Sequence, residues 1–304
     1  MATATPTKPP LRAIGDATNP LALWHLLSLD APTVAVVWTW FIAAANHIRL
    51  PLASTLAMTI TVWMLYAADR LMDARLMDAR LMDVHLTRSQ LSANHADLEA
   101  RHYFHHRHRS AFLAGILLGS IALATLLPRL EAEAIYLYLI LGGLVSGYFI
   151  LIHATRSAHR LPKEIAVGLC FAAATFIPTV ARRPDLRLSL LPTALLFAAL
   201  CSLNCLFIYQ WEHEVSRTSR PTHAITHLAL RNLRPLTILL TLVSIALALF
   251  DQHTPQTIPC ATAISAALLL LLHYRRRAIS PTTLRAAADL ALATPLLLLP
   301  FLHQ

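Results

Sequence analysis

Apolar runs long enough to cross a lipid bilayer recur along this chain, and no other feature limits its folding as much. A spanning helix needs about 20 such residues, with ~17 as the lower bound. Runs of that kind cover residues 32–48, 52–68, 111–127, 133–153, 164–181, 189–209, 233–250, 258–274 and 284–302. The seventh is the weakest, because its clean stretch runs only from Leu236 to Phe250. Backbone polar groups in lipid must be satisfied internally, so the expected fold is all-α, a polytopic membrane bundle of about nine transmembrane helices. Composition agrees with this. With 56% hydrophobic and 13% charged residues, and a mean hydropathy of +0.55, the chain is unlike a soluble globular enzyme, which carries roughly 25% charged residues. Its 7% of aromatic residues is too few for the girdles of a membrane β-barrel.

Nine spans alternate sides, so the Lys and Arg residues between them report orientation. With the N-terminus inside, five of the 25 cations (Arg49, Arg129, Arg182, Arg183 and Arg187) fall outside and the other twenty fall inside. This asymmetry predicts a multi-pass protein of a bacterial-type inner membrane, with a cytoplasmic N-terminus and the C-terminus on the opposite side. It also accounts for the net charge of +9 through lipid headgroups, with no nucleic-acid partner. Residues 1–31 read as a cytoplasmic tail ending in a short interfacial helix around Trp24, Leu26, Leu27 and Leu29. Residues 32–304 read as one transmembrane domain with two long cytoplasmic loops, 69–110 and 210–232. No signal peptide is expected, and Cys170, Cys201, Cys205 and Cys260 lack the CxxC spacing of a zinc or redox site.

The second run ends in Tyr66-Ala-Ala-Asp-Arg-Leu-Met-Asp, followed by two further copies of Arg-Leu-Met-Asp, each after an intervening residue. The repeat places Asp69, Asp73, Asp78 and Asp83 in one segment. At about 100° per residue, Asp69, Asp73 and Asp83 converge to within roughly 40° of Asp69, and Asp78 points away. Two carboxylates a turn apart at a membrane boundary suit Mg²⁺ bound together with a diphosphate, because Mg²⁺ keeps waters and takes few protein carboxylates. The alternative is a solvated helix laced by pairs with Arg70, Arg75 and Arg80.

With these residues the chain resembles the UbiA-type intramembrane prenyltransferase superfamily, a nine-helix fold with two acid-rich motifs on the cytoplasmic side. Leu27-Ser-Leu-Asp-Ala-Pro32 is similar to the stretch before that family's first helix. Asp69 and Asp73 stand where its first acidic motif ends the second helix, Lys163 matches its basic loop, and Asn204 to Glu214 stand at its second motif. The chain departs from the pattern in having Ala68 where the first motif has Asn. In the second motif, Glu212 and Glu214 lie about 200° apart on a regular helix.

The resemblance implies Mg²⁺-dependent transfer of an isoprenyl group from an isoprenyl diphosphate to a small lipophilic acceptor, expected to be aromatic. Asp69, Asp73 or Asp83, and Glu212 are the expected metal ligands. Asp69, Asp73 and Lys163 are the expected catalytic set, and Tyr66, Arg70, Arg156, Arg160 and Asn204 the expected substrate-binding set. Asn204 reads equally as an interhelical hydrogen-bonding residue. Asp289 is a further site candidate as an intramembrane acid, with Arg285 one turn earlier as its expected neutraliser.

A second reading is a non-catalytic or transport protein that keeps the helix layout while its acidic motifs decay. Residues 101–109 carry His102, His105, His106 and His108 at spacings that suit a transition metal. They read more simply as an interfacial basic segment, and a histidine-rich metal transporter would need its ligands inside the spans.

Overall fold

Every apolar run except the last folds as one helix. The structure, a computed structural model, describes residues 20–83, 104–105, 107–154, 162–213 and 223–301, and no strand occurs among them. The helices are α1 (Pro20–Leu26), α2 (Asp30–Ala45), α3 (Leu52–Asp83), α4 (Arg109–Leu126), α5 (Ala132–Ala154) and α6 (Lys163–Arg182). They continue as α7 (Leu191–His213), α8 (Ala224–Arg231), α9 (Leu233–Phe250), α10 (Thr257–Arg275), α11 (Pro281–Ala291) and α12 (Pro295–Leu298). Among the described residues, six segments are long and apolar enough to cross a membrane: Leu52–Met72, Arg109–Arg129, Lys163–Arg182, Leu191–Glu212, Leu233–Phe250 and Thr257–Ala278. The apolar helix Asp30–Ala45 is shorter. The chain is thus an all-helical integral membrane protein.

One expectation needs correction. The run 284–302 is not one continuous helix but α11, a turn, α12 and a 3-10 turn. Pro295 cannot donate to the carbonyl four residues earlier, so the α-helical ladder stops there. A break at membrane depth is tolerated where protein buries it. Leu292, Ala293 and Thr294 are all buried. Trp38 Nε1 donates to the Leu292 carbonyl at 2.7 Å, and Thr294 Oγ1 donates to the Ala261 carbonyl at 3.0 Å. In the segment 69–110, α3 continues through the acidic repeat to Asp83.

The core lies among α2, α6, α7, α9, α10 and α11. Trp38 packs tilted against Phe197 with ring centroids 4.1 Å apart, and Phe41, Phe176 and Phe207 extend the same cluster. Small residues allow the tightest helix approach, as is usual when lipid supplies no hydrophobic drive between helices. A Cβ on Gly168 of α6 would fall 2.1 Å from Ser202 Oγ and 2.6 Å from the Ser202 backbone nitrogen of α7. At the rim, α4 buries only Phe112 and Leu126.

Pro178 sits inside α6 and denies the Ala174 carbonyl its helical donor. Tyr138 of α5 supplies that donor, its hydroxyl lying 3.0 Å from the Ala174 oxygen. The same contact ties α5 to the bundle.

The two ends of the bundle differ in charge. Around the α4–α5 and α6–α7 connections three arginines are matched by acids, with Arg182–Glu131 at 2.5 Å, Arg183–Asp185 at 2.7 Å, and Arg187 bound to Glu133. The opposite end carries the surplus of arginines and the candidate site.

Candidate functional site

The site begins with a turn. After α1, Ser28 takes a left-handed conformation (φ 58°), Leu29 N–H bonds to the Trp24 carbonyl at 3.1 Å, and Ser28 N–H bonds to the His25 carbonyl at 3.1 Å. This is the Schellman arrangement with serine in the usual glycine position. It folds α1 back so that His25 meets the first residue of α2: His25 Nδ1 lies 2.6 Å from Asp30 Oδ2.

Asp30 is the hub of a buried polar cluster. Its Oδ1 accepts from the Ala31 N–H at 3.0 Å, and its Oδ2 also accepts from Arg70 Nη2 of α3 at 3.0 Å. Arg70 Nη1 donates to the His25 carbonyl at 3.0 Å, and the guanidinium lies 5.6 Å over the Tyr66 ring. His25, Asp30 and Arg70 are all buried. Burial disfavours the imidazolium and Arg70 adds its positive charge, which together outweigh the Asp30 hydrogen bond and bring the His25 pKa down to about 4. The neutral ring therefore donates its Nδ1 proton to Asp30.

From the other side, α11 and α7 bring Asp289 and Asn204. Asn204 Nδ2 donates to Asp289 Oδ1 at 2.9 Å, while the buried Asn204 Oδ1 has no hydrogen-bond partner among the described residues. His25, Asp30 and Asp289 each bring a ligand atom within 4.8 Å of the others. That triad does not suit a metal, because the Arg70 guanidinium already occupies the cation position on Asp30. Arg285 makes its direct ion pair with Glu212 of α7, and its charge also acts on Asp289, as the sequence suggests. Asp30, Asp289 and Glu212 thus stand against Arg70 and Arg285.

Asp69 and Lys163 form a separate, open pair. Lys163 Nζ lies 4.0 Å from Asp69 Oδ1, with side chains 59% and 50% exposed. Of the expected site residues, Asp69 and Lys163 meet at the surface. Tyr66 and Arg70 pack next to Asp30, Asn204 joins Asp289, and Glu212 is held by Arg285. Asp73 and Asp83 lie on the continuous α3 backbone, but their side chains are outside the described ones, and Arg156 and Arg160 lie outside the described residues. Of the four histidines singled out, His102 and His106 also lie outside. His105 is buried and stacks on Phe112 at 4.8 Å.

Sequence reasoning missed His25 and the role of Asp30. The usable signal was an acid placed directly before an apolar run, five residues after a histidine. Compared with the profiles of known protein families, with curated proteins and with solved structures, the chain matches none.

Proposed function

We propose that the chain is an integral-membrane transferase with the UbiA-type helix layout. It takes an isoprenyl diphosphate with Mg²⁺ and moves the prenyl group to a small lipophilic, electron-rich, aromatic acceptor. The observation that carries this reading is the half-exposed Asp69–Lys163 pair, set at the end of the bundle that also holds the buried Asp30–Asp289 cluster. An exposed pair at 4.0 Å is weak and exchanges partners at little cost. A metal diphosphate offers both partners, since the carboxylate can take the metal and the ammonium a phosphate oxygen.

Mg²⁺ fits Asp69 on this account, because it binds through one or two carboxylates, waters and the substrate's phosphates. Asp73, about 40° around the same helix, is the natural second ligand. Glu212 does not suit that role while it holds Arg285. When bound, the metal would supply charge neutralisation of the diphosphate oxygens.

Lys163 stabilises the charge that develops on the leaving group. The allylic C–O bond breaks with its electron pair departing on the diphosphate. An acceptor carbon then bonds to the allylic carbon, and the displaced ring proton passes to the diphosphate. Asn204 Oδ1, buried and lacking a donor among the described residues, suits an acceptor hydroxyl. The apolar bundle keeps water from the cation. By the charge asymmetry, this end faces the cytoplasm of a bacterial-type inner membrane, with the N-terminus on the same side and the C-terminus opposite.

One specific observation favours a second reading, a non-catalytic or transport protein. The Asp30–Arg70 and Glu212–Arg285 pairs neutralise acids within the fold itself. The test is to incubate membranes holding the protein with labelled isoprenyl diphosphates of graded chain length and a set of phenolic acceptors, with Mg²⁺ or with chelator. The proposal expects Mg²⁺-dependent release of diphosphate together with a prenylated acceptor. Neither product at any chain length would favour the second reading.

A further inference from the structure

Away from this site, α9 and α10 enclose a groove of about 310 Å³ on the outer surface of the bundle. Its walls are Ile238, Thr241, Leu242, Ala267, Leu270, Leu271 and Tyr274. The Thr241 hydroxyl is spent on the Thr237 carbonyl at 2.9 Å, so the lining presents an apolar surface. Ile238, Leu242, Leu271 and Tyr274 are exposed on helices that cross the membrane, where the surrounding solvent is lipid chain.

One end of the groove is strongly basic. Tyr274 closes it, and the Arg234 guanidinium lies 5.4 Å over the Tyr274 ring, with its Nε 3.2 Å from His273 Nε2. Those contacts fix the guanidinium while its terminal nitrogens still have donors to offer. Arg231, Arg275 and Arg277 are exposed at the same helix ends, whereas Arg276 turns back to the His273 carbonyl at 2.9 Å. Residues 223–250 and 257–280 contain no Asp or Glu to neutralise these arginines. An apolar slot running along the membrane normal, ending in an aromatic ring and a cluster of guanidiniums, matches a lipid whose headgroup carries net negative charge.

We propose that this groove is a binding site for an anionic phospholipid, with one acyl chain between α9 and α10 and the headgroup phosphate on Arg234 and the arginines at the end of α10. The site is independent of the transferase reading and stands or falls separately from it.

The test uses the full chain purified in a neutral detergent, with retained lipids counted by native mass spectrometry. Phosphatidylglycerol and phosphatidylcholine of identical acyl chains are compared. The expected result is one phosphatidylglycerol held at least about tenfold more tightly than phosphatidylcholine. Two variants separate headgroup from chain. Replacing Arg231, Arg234, Arg275 and Arg277 together by Gln removes the exposed charge, and Leu242→Trp fills the groove at an exposed position without touching the charge. Both are expected to bring phosphatidylglycerol down to the phosphatidylcholine level with the melting temperature near that of the unmodified chain. Equal retention of the two lipids by the unmodified chain would overturn the proposal, as would a preference that survives in either variant. Displacement of the bound lipid by millimolar inorganic phosphate would also overturn it, because the acyl chain would then contribute nothing.

Discussion

Arg70 of α3 reaches across to Asp30 of α2 and binds its Oδ2 at 3.0 Å, with both side chains almost completely buried. Breaking such a pair on one side strands a charge at a cost of about 3–5 kcal/mol, whereas removing both charges costs much less. Arg70→Met alone should therefore lower stability in detergent by about that amount. Arg70→Met combined with Asp30→Asn should recover a large part of the loss. Thermal unfolding of the two variants checks this, and a double variant less stable than the single one would contradict it.

His25 makes stability depend on pH in a direction that can be worked out. Its folded pKa of about 4 lies below the ordinary 6.5, so as pH falls the unfolded chain takes up the proton first. The stability contributed by the neutral ring is complete above pH 6.5, declines below it, and is gone below about 4. Melting temperatures measured from pH 7.5 to 4.5 should fall, and the fall should be shallower in His25→Gln.

The Tyr138 hydroxyl compensates for a proline in the next helix. Tyr138→Phe keeps the ring and leaves the Ala174 carbonyl without that donor, at an expected cost of about 1–3 kcal/mol. Restoring the helical donor by Pro178→Ala in the same chain should make the hydroxyl nearly dispensable. A double-mutant cycle followed by chemical unfolding measures the coupling between the two positions.

The glycines divide by what stands opposite them. Gly168→Ala places a methyl against the α7 backbone, as close as 2.6 Å to the Ser202 nitrogen, and should destabilise by about 1–3 kcal/mol. A methyl on Gly142 or Gly147 of α5 meets nothing within 4 Å. Alanine there should be neutral or should stabilise through helix propensity. Comparing melting temperatures of the three variants is enough to test the contrast.

Much of the scaffold could be read from the apolar runs, because span length and backbone satisfaction leave few alternatives to helices. The seventh run, the weakest by its clean stretch, forms α9 in full. The last run misled, since it is apolar apart from Arg285 and Asp289, and Pro295, together with hydrogen bonds from Trp38 and Thr294, marks the break. The site was harder to read because its partners lie far apart in the sequence. Asp289 was recognisable as an intramembrane acid, yet nothing local says that it meets Asn204 or that Arg285 turns to Glu212. Asp30 looked like the edge of a helix, and its centrality depends on a left-handed Ser28 folding α1 back over it.

The central claim is that Asp69 and Lys163 receive a metal diphosphate. The most direct test is equilibrium binding of a labelled isoprenyl diphosphate to the detergent-purified chain, with Mg²⁺ or with chelator, in the unmodified protein and in Asp69→Asn, Lys163→Ala and Glu212→Gln. The account predicts Mg²⁺-dependent binding that drops at least about tenfold in Asp69→Asn and Lys163→Ala. In Glu212→Gln the dependence on Mg²⁺ should persist while stability falls. Binding that ignores Mg²⁺, or that survives Asp69→Asn unchanged in folded protein, would contradict it.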